Sequence, residues 1–320
     1  MSGKTIARPQ SLNPVSPARR RARPSRLPEV IVIGPPRTGS TWLYNALRNA
    51  VDMPCGVKET QFFNVFYDKG IEWYARHFRY ATGDRTVAEI CPYFFYPLAP
   101  ERIKTHIPNC RFVVTLRDPV DRIYSVYKLQ RHYGWVRRGT FDEALKALPH
   151  LGGANRYAAC LETWFESFGR ENVLVTIYDG LRADPQTYVN RVCDFMSVER
   201  VMLSPRPDLS GDVNSYARAP KNRKLARKAT NFMYWLRGHQ AYRLFNLLER
   251  AGVWEFCQGR GELYPRLTPE QDERLRARFI PEVEALEELL MIDLSAWKKP
   301  RSPRSIETSP APRLQRLANG

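Results

Sequence analysis

Along the chain, short apolar runs rich in β-branched residues alternate with stretches whose apolar positions recur every three to four residues. Glu29-Val30-Ile31-Val32-Ile33-Gly34 is a run of the first kind, ending in glycine as a buried parallel strand does. Arg111-Phe112-Val113-Val114-Thr115-Leu116 and Asn172-Val173-Leu174-Val175-Thr176-Ile177-Tyr178 are two more. Helical spacing follows each. It runs through Trp42-Leu43-Tyr44-Asn45-Ala46-Leu47 after the first and through Ile123, Tyr124, Val126 and Tyr127 after the second. After the third, Tyr188, Val189, Val192 and Phe195 share one face of a predicted helix over Pro185–Met196. Strands alternating with helices predict an α/β fold, with a central parallel sheet flanked by helices. A charged amphipathic helix is expected over Pro269–Leu290, and the polar, basic stretch 206–228 reads as a long surface loop.

Charge changes the picture at the ends. The net charge is +17 over 320 residues, which suits nucleic acid, an anionic membrane surface or anionic small molecules and glycans. Residues 1–28 hold Arg8, Arg19, Arg20, Arg21, Arg23 and Arg26 among prolines, with no acid before Glu29. They read as a disordered basic arm. Residues 300–320 have the same character, with Arg301, Arg304, Arg313 and Arg316 among four prolines. One domain is therefore expected over 29–299, with much of the positive excess in its tails. No specific nucleic-acid partner is expected, and the basic ends leave open a peripheral contact with an anionic membrane. The six cysteines form no CxxC pair, so a zinc site is not expected. No run of 18 apolar residues is present, and the basic start lacks the apolar core of a secretory signal. Cytoplasmic placement is the default expectation, although an arginine-rich, acid-free start also resembles an organelle transit peptide.

The chemistry concentrates after the first strand. Gly34-Pro35-Pro36-Arg37-Thr38-Gly39-Ser40-Thr41 lies between a buried strand and a helix, where converging backbone N–H groups and the helix dipole favour a phosphate. Ser40 and Thr41 add hydroxyls, and Arg37 adds a planar fork suited to phosphate oxygens. A Walker loop, GxxxxGK followed by Ser or Thr, needs a lysine where this chain has Ser40. That departure argues against an ATP or GTP site and for a different phosphate donor.

The run Pro36-Arg37-Thr38-Gly39-Ser40-Thr41-Trp42 resembles the 5′-phosphosulfate loop of sulfotransferases dependent on 3′-phosphoadenosine 5′-phosphosulfate (PAPS). Arg37 stands where most members carry lysine, and arginine occurs at that place in the tyrosylprotein branch. The resemblance implies that Arg37, Thr38, Gly39, Ser40, Thr41 and Trp42 contact the donor. Guanidinium hardly deprotonates, so Arg37 would act as a fixed charge. Arg117-Asp118-Pro119 at a strand end, with Ser125 eight residues beyond Arg117, resembles the family's 3′-phosphate motif and assigns that phosphate to Arg117 and Ser125. Taken alone, the same residues also fit a local Arg117–Asp118 pair, or a Walker B aspartate at Asp118.

Lys58-Glu59-Thr60-Gln61-Phe62-Phe63 resembles the Lys-Glu-x-x-Phe-Phe segment of heparan sulfate sulfotransferases, whose glutamate is the base. Gly70-Ile71-Glu72-Trp73-Tyr74 and Ala88-Glu89-Ile90-Cys91-Pro92-Tyr93-Phe94 continue that branch's order. The resemblance makes Glu59 the base and Lys58 its tuning cation or a contact to the donor sulfate. No histidine lies in a matching motif. The basic run 219–224 places Lys221 and Arg223 as candidates for closing over the 3′-phosphate, and serves equally as a solvated charged face. Leu294-Ser295-Ala296-Trp297 resembles the family's terminus. The implied activity is transfer of a sulfuryl group from PAPS, without metal, to a hydroxyl or amine of a carbohydrate, glycolipid or small metabolite. A P-loop kinase-like phosphotransferase and a non-enzymatic polyanion-binding protein remain the alternatives.

Overall fold

The computed structural model describes residues 26–300 apart from 82, 137–139, 148–155, 204–217, 259 and 265–266. The expected arm 1–28, save its last three residues, and nearly all of the tail 300–320 lie outside the described residues. Four parallel strands form the central sheet: β1 (Val30–Val32), β2 (Ala88–Ile90), β3 (Arg111–Leu116) and β4 (Val173–Ile177), in the order β2-β1-β3-β4. Antiparallel strands β5 (Arg218–Pro220) and β6 (Arg260–Leu263) form a separate ribbon.

The helices in chain order are α1 (Ser40–Leu47), α2 (Ile71–Ala75), α3 (Ala99–His106), α4 (Pro119–His132), α5 (Phe141–Ala147) and α6 (Tyr157–Phe168). They continue as α7 (Tyr178–Ala183), α8 (Pro185–Met196), α9 (Arg223–Gly238), α10 (Tyr242–Arg250), α11 (Val253–Gln258), α12 (Pro269–Leu290) and α13 (Ser295–Lys298). None of the described helices is long and apolar enough to cross a membrane.

Alternation along β1 and β3 divides the core. Ile31, Phe112 and Val114 face a cluster with Phe62, Tyr74, Tyr93 and Trp164, whereas Val30, Val32 and Val113 face one with Trp42, Leu47, Val189 and Met196. A strand buried on both faces must be apolar throughout, which is why these runs do not alternate with polar residues. The expected strands and the helices over Pro185–Met196 and Pro269–Leu290 form as read. The stretch expected as a loop over 206–228 instead contains β5 and the first turns of α9. Asn222 explains the difference, because its side-chain oxygen accepts from Leu225 N at 3.1 Å and caps a helix that the basic residues then continue.

The chain passes from β1 to β2 on one side and then to β3 on the other. The crevice beyond the carboxyl ends of β1 and β3 is thus a topological switch point, where open α/β sheets hold ligands. The loop before α1 and the turn before α4 both open into it.

Candidate active site

The loop after β1 is held in a conformation few sequences tolerate. Gly39 caps α1 at φ 90°, and Arg37 adopts φ 75°, a left-handed conformation that costs a non-glycine residue free energy and is found where function demands it. A Cβ on Gly39 would lie 2.8 Å from Leu181 Cδ2 and 3.1 Å from Tyr178 Cε2. Gly34 is also closely packed, with Thr115 N at 3.1 Å from its absent Cβ. Thr38 is buried and its hydroxyl donates to Pro35 O at 2.8 Å, so it braces the turn from within. Trp42 turns its ring into the core against Tyr188, with centroids 6.0 Å apart. Ser40 and Thr41 keep their hydroxyls at the start of α1.

Those hydroxyls meet the second motif. Lys58 Nζ lies 3.2 Å from Ser40 Oγ, 2.9 Å from Thr41 Oγ1 and 2.9 Å from Glu59 Oε1. The other carboxylate oxygen, Glu59 Oε2, accepts from Gln61 Nε2 at 3.0 Å. Burial pushes the Glu59 carboxyl up, but the charge of Lys58, then that of Arg237, and the bonds from Lys58 and Gln61 outweigh it and leave it below its ordinary value. Glu59 is therefore an ionised carboxylate at neutral pH, as a base must be.

Behind it, Glu89 on β2 is fully buried and collects Thr60 N at 3.2 Å, the Thr60 hydroxyl, Tyr74 Oη at 2.6 Å and Tyr93 Oη at 3.3 Å. Tyr93 Oη also accepts from Phe62 N at 3.0 Å. This network fixes the backbone on either side of Gln61, which itself sits at φ 57°.

The turn after β3 completes the crevice. Asp118 accepts from Val120 N at 2.9 Å, capping α4, and its other oxygen pairs with the buried Arg276 at 2.9 Å. Both oxygens thus serve structure, which removes the reason to read Asp118 as a Walker B aspartate. Arg117 donates to Arg37 O at 3.1 Å, faces Asp121 at 3.7 Å and lies 4.6 Å over the Tyr178 ring, the same ring that abuts Gly39. Arg37 Nε donates to Ser125 Oγ at 2.8 Å. The two candidate phosphate motifs are therefore in direct contact.

A family model described as "Sulfotransferase domain" matches residues 27–284. The chain belongs to the PAPS-dependent sulfotransferase family. It is 30% identical over 200 residues to the bifunctional heparan sulfate N-deacetylase/N-sulfotransferase 1 of Xenopus laevis, a match covering 55% of this chain and 23% of that protein. It is also 30% identical over 185 residues to heparan sulfate glucosamine 3-O-sulfotransferase 6 of Mus musculus, covering 55% of this chain and 54% of that one. The matched region thus spans about a quarter and about half of these two relatives. A crystal structure of a sulfotransferase from Alicyclobacillus acidocaldarius shares the fold, with a TM-score of 0.60, 21% identity and coverage of 86% of this chain and 100% of that one.

The sulfotransferase crevice suits an anionic donor. Arg117 Nε is buried with no hydrogen-bond partner, an unmet donor on the side chain that also bonds Arg37 O, and an anion's oxygen would satisfy it. Of the expected donor contacts, Arg37, Ser40, Thr41, Arg117 and Ser125 gather here with Lys58 and Glu59. Lys221 is exposed at the end of β5, and Arg223 is held by Gly134 O at 3.2 Å, at the far end of α4.

Two further residues join the site. His132 lies one face of α4 along from Ser125, at a seven-residue spacing, where burial first and the nearby Arg37 second press its pKa to about 4. Helical periodicity from Ser125 would have found it. Arg237, whose charge bears on Glu59, lies where basic residues and aromatics (Tyr234, Trp235, Tyr242) recur at near-helical spacing, a pattern of core or substrate-wall packing that by itself marks no catalytic role. Among the described residues, no three His, Cys, Asp or Glu side chains converge as metal ligands.

Proposed function

We propose that this sulfotransferase moves the sulfuryl group of PAPS to a hydroxyl or amine of a carbohydrate acceptor, with Glu59 as the general base. The observation that carries this reading is the position of Lys58, whose Nζ touches both the hydroxyls at the start of α1 and the Glu59 carboxylate. The phosphate loop and the base are thereby linked through one cation, as an in-line displacement between donor and acceptor needs. The carbohydrate reading is supported by the two relatives, one named as a heparan sulfate N-deacetylase/N-sulfotransferase and the other as a heparan sulfate glucosamine 3-O-sulfotransferase.

PAPS supplies an activated sulfuryl group on its 5′-phosphate. Ser40, Thr41 and the N–H groups at the start of α1 hold that phosphate, and Arg117 and Ser125 hold the 3′-phosphate. Glu59 takes the proton of the attacking hydroxyl or amine as the new O–S or N–S bond forms and the bond from sulfur to the phosphate oxygen breaks. Lys58 balances the charge that collects on the departing oxygen, so side chains alone meet the charge and the proposal includes no metal. Arg37, turned towards Ser125, secures the junction between the two phosphate sites.

The test is calorimetric titration of 3′-phosphoadenosine 5′-phosphate (PAP) into the wild type and an Arg117→Ala/Ser125→Ala variant, with ATP as control. Micromolar-class binding that the variant loses, with weak ATP binding, is the expected result. Tighter binding of ATP than of PAP would return the loop to the kinase reading.

A further inference from the structure

Arg237 joins the site but has no role in the transfer assigned so far. It lies in the last turn of α9, whose end is seated on the segment that follows Gln61. Trp73 Nε1 donates to Gly238 O at 3.2 Å, and the Phe66 ring packs against Gly238, 3.1 Å from where a Cβ would be. The end of α9 therefore closes the Gln61 side of Glu59, while Lys58 and the phosphate loop occupy the other side. The Arg237 charge bears on Glu59, yet among the described residues its side chain donates no hydrogen bond and forms no ion pair. Its Nε is buried without a partner, and its guanidinium lies 5.4 Å over the Phe245 ring.

A guanidinium does not lose its charge, and a buried donor left unmet calls for an acceptor. Glu59 does not fill that need: its oxygens accept from Lys58 and Gln61, and it forms no hydrogen bond or ion pair with Arg237. Tyr242, five residues on, is bound to His77 Nε2 and donates to the Arg237 carbonyl rather than meeting its side chain, and Tyr234, three residues back on α9, feels the Arg237 charge but accepts no hydrogen bond from it. The donor's phosphates have their own cations, Lys58, Arg37 and Arg117, across the site.

We propose that Arg237 is the receptor for an anionic group of the acceptor, a carboxylate or a sulfate ester borne close to the hydroxyl or amine that Glu59 deprotonates. This inference rests on Glu59 being the base of a sulfuryl transfer. It makes Arg237 a specificity residue: an acceptor lacking the anion leaves the guanidinium unmet, and the site discriminates by that loss.

Binding, read apart from turnover, tests it. Three tetrasaccharides are titrated into the PAP-loaded full chain: one of alternating hexuronate and glucosamine, its carboxyl-reduced counterpart, and the reduced form carrying sulfate esters. The wild type should bind at least one charged form about 10-fold or more tightly than the neutral form, and which one identifies the anion. Arg237→Gln should erase that preference while leaving the neutral form and PAP bound as before, and Arg237→Lys should restore part of it. An unchanged preference in Arg237→Gln, equal weakening of charged and neutral forms, or no preference in the wild type would overturn the proposal. Retention of sulfuryl transfer by Glu59→Gln would instead overturn the base assignment and leave the Arg237 result standing.

Discussion

Arg37 Nε donates to Ser125 Oγ at 2.8 Å, joining the turn after β1 to the helix after β3 across 88 positions of sequence. The two candidate phosphate sites thus share a side-chain contact and should not act independently. Ser125→Ala removes both the acceptor for Arg37 and a donor for the 3′-phosphate. PAP affinity should fall about 10-fold, or ~1.4 kcal/mol, with thermal stability nearly unchanged. Calorimetric titration checks it, and an unaltered Kd would separate Ser125 from the donor site.

Gly39 presents a second test. At φ 90°, with Leu181 and Tyr178 pressed where a Cβ would be, Gly39→Ala should cost about 1–3 kcal/mol of stability and most of the PAP binding. Gly83→Ala, with nothing within 4 Å of the new methyl, is the matched control and should change stability by less than about 0.5 kcal/mol. Urea unfolding of the two variants measures the contrast.

The pH dependence of catalysis follows from Lys58. Glu59 is held below its ordinary value against the upward push of burial, chiefly by the Lys58 charge. A base works when deprotonated, so kcat/KM should rise with pH only through that depressed value and then stay level on Glu59's account. Lys58→Met removes the largest lowering influence, and the acid limb of the pH–rate profile should move upward. A limb that stays in place would show that Lys58 does not set the ionisation of Glu59.

Glu89 turns the same physics towards stability. Burial raises its carboxyl in the folded state above the ordinary 4.5, against the bonds from Thr60, Tyr74 and Tyr93. The folded state therefore holds the proton more tightly than the unfolded state. Glu89's contribution is most favourable below about 4.5 and is lost as pH rises through the raised value. Glu89→Gln should flatten that slope at small cost. Glu89→Ala strands the Thr60 and Tyr74 donors and should destabilise by about 2–4 kcal/mol. Urea titrations at several pH values read both.

Much of this arrangement is legible in the chain itself. Val30, Ile31 and Val32, and the run from Phe112 to Val114, are apolar on both faces because both faces are buried, so the sheet reads directly from composition. The phosphate loop is legible because glycine at φ 90° leaves few alternatives at position 39. Other features depend on contacts between segments far apart in sequence. The bond from Arg37 to Ser125 and the capture of Asp118 by Arg276 are of that kind, and no local pattern encodes them. The influence of the Arg237 charge on Glu59 rests on α9, whose start depends on one capping side chain, Asn222, inside a run that is otherwise simply basic. Trp42 and Thr38 show the converse, since they sit within the motif yet turn inward to brace it.

The central claim, that Glu59 is the base beside the donor site, meets its most direct test in single-turnover transfer of labelled sulfuryl from PAPS to an amino- or hydroxyl-bearing oligosaccharide. Wild type and Glu59→Gln are compared, with PAP titration alongside. The account predicts a rate loss of about 10²- to 10⁴-fold in Glu59→Gln with PAP affinity retained. Transfer at the wild-type rate in Glu59→Gln, with PAP still bound, would contradict it.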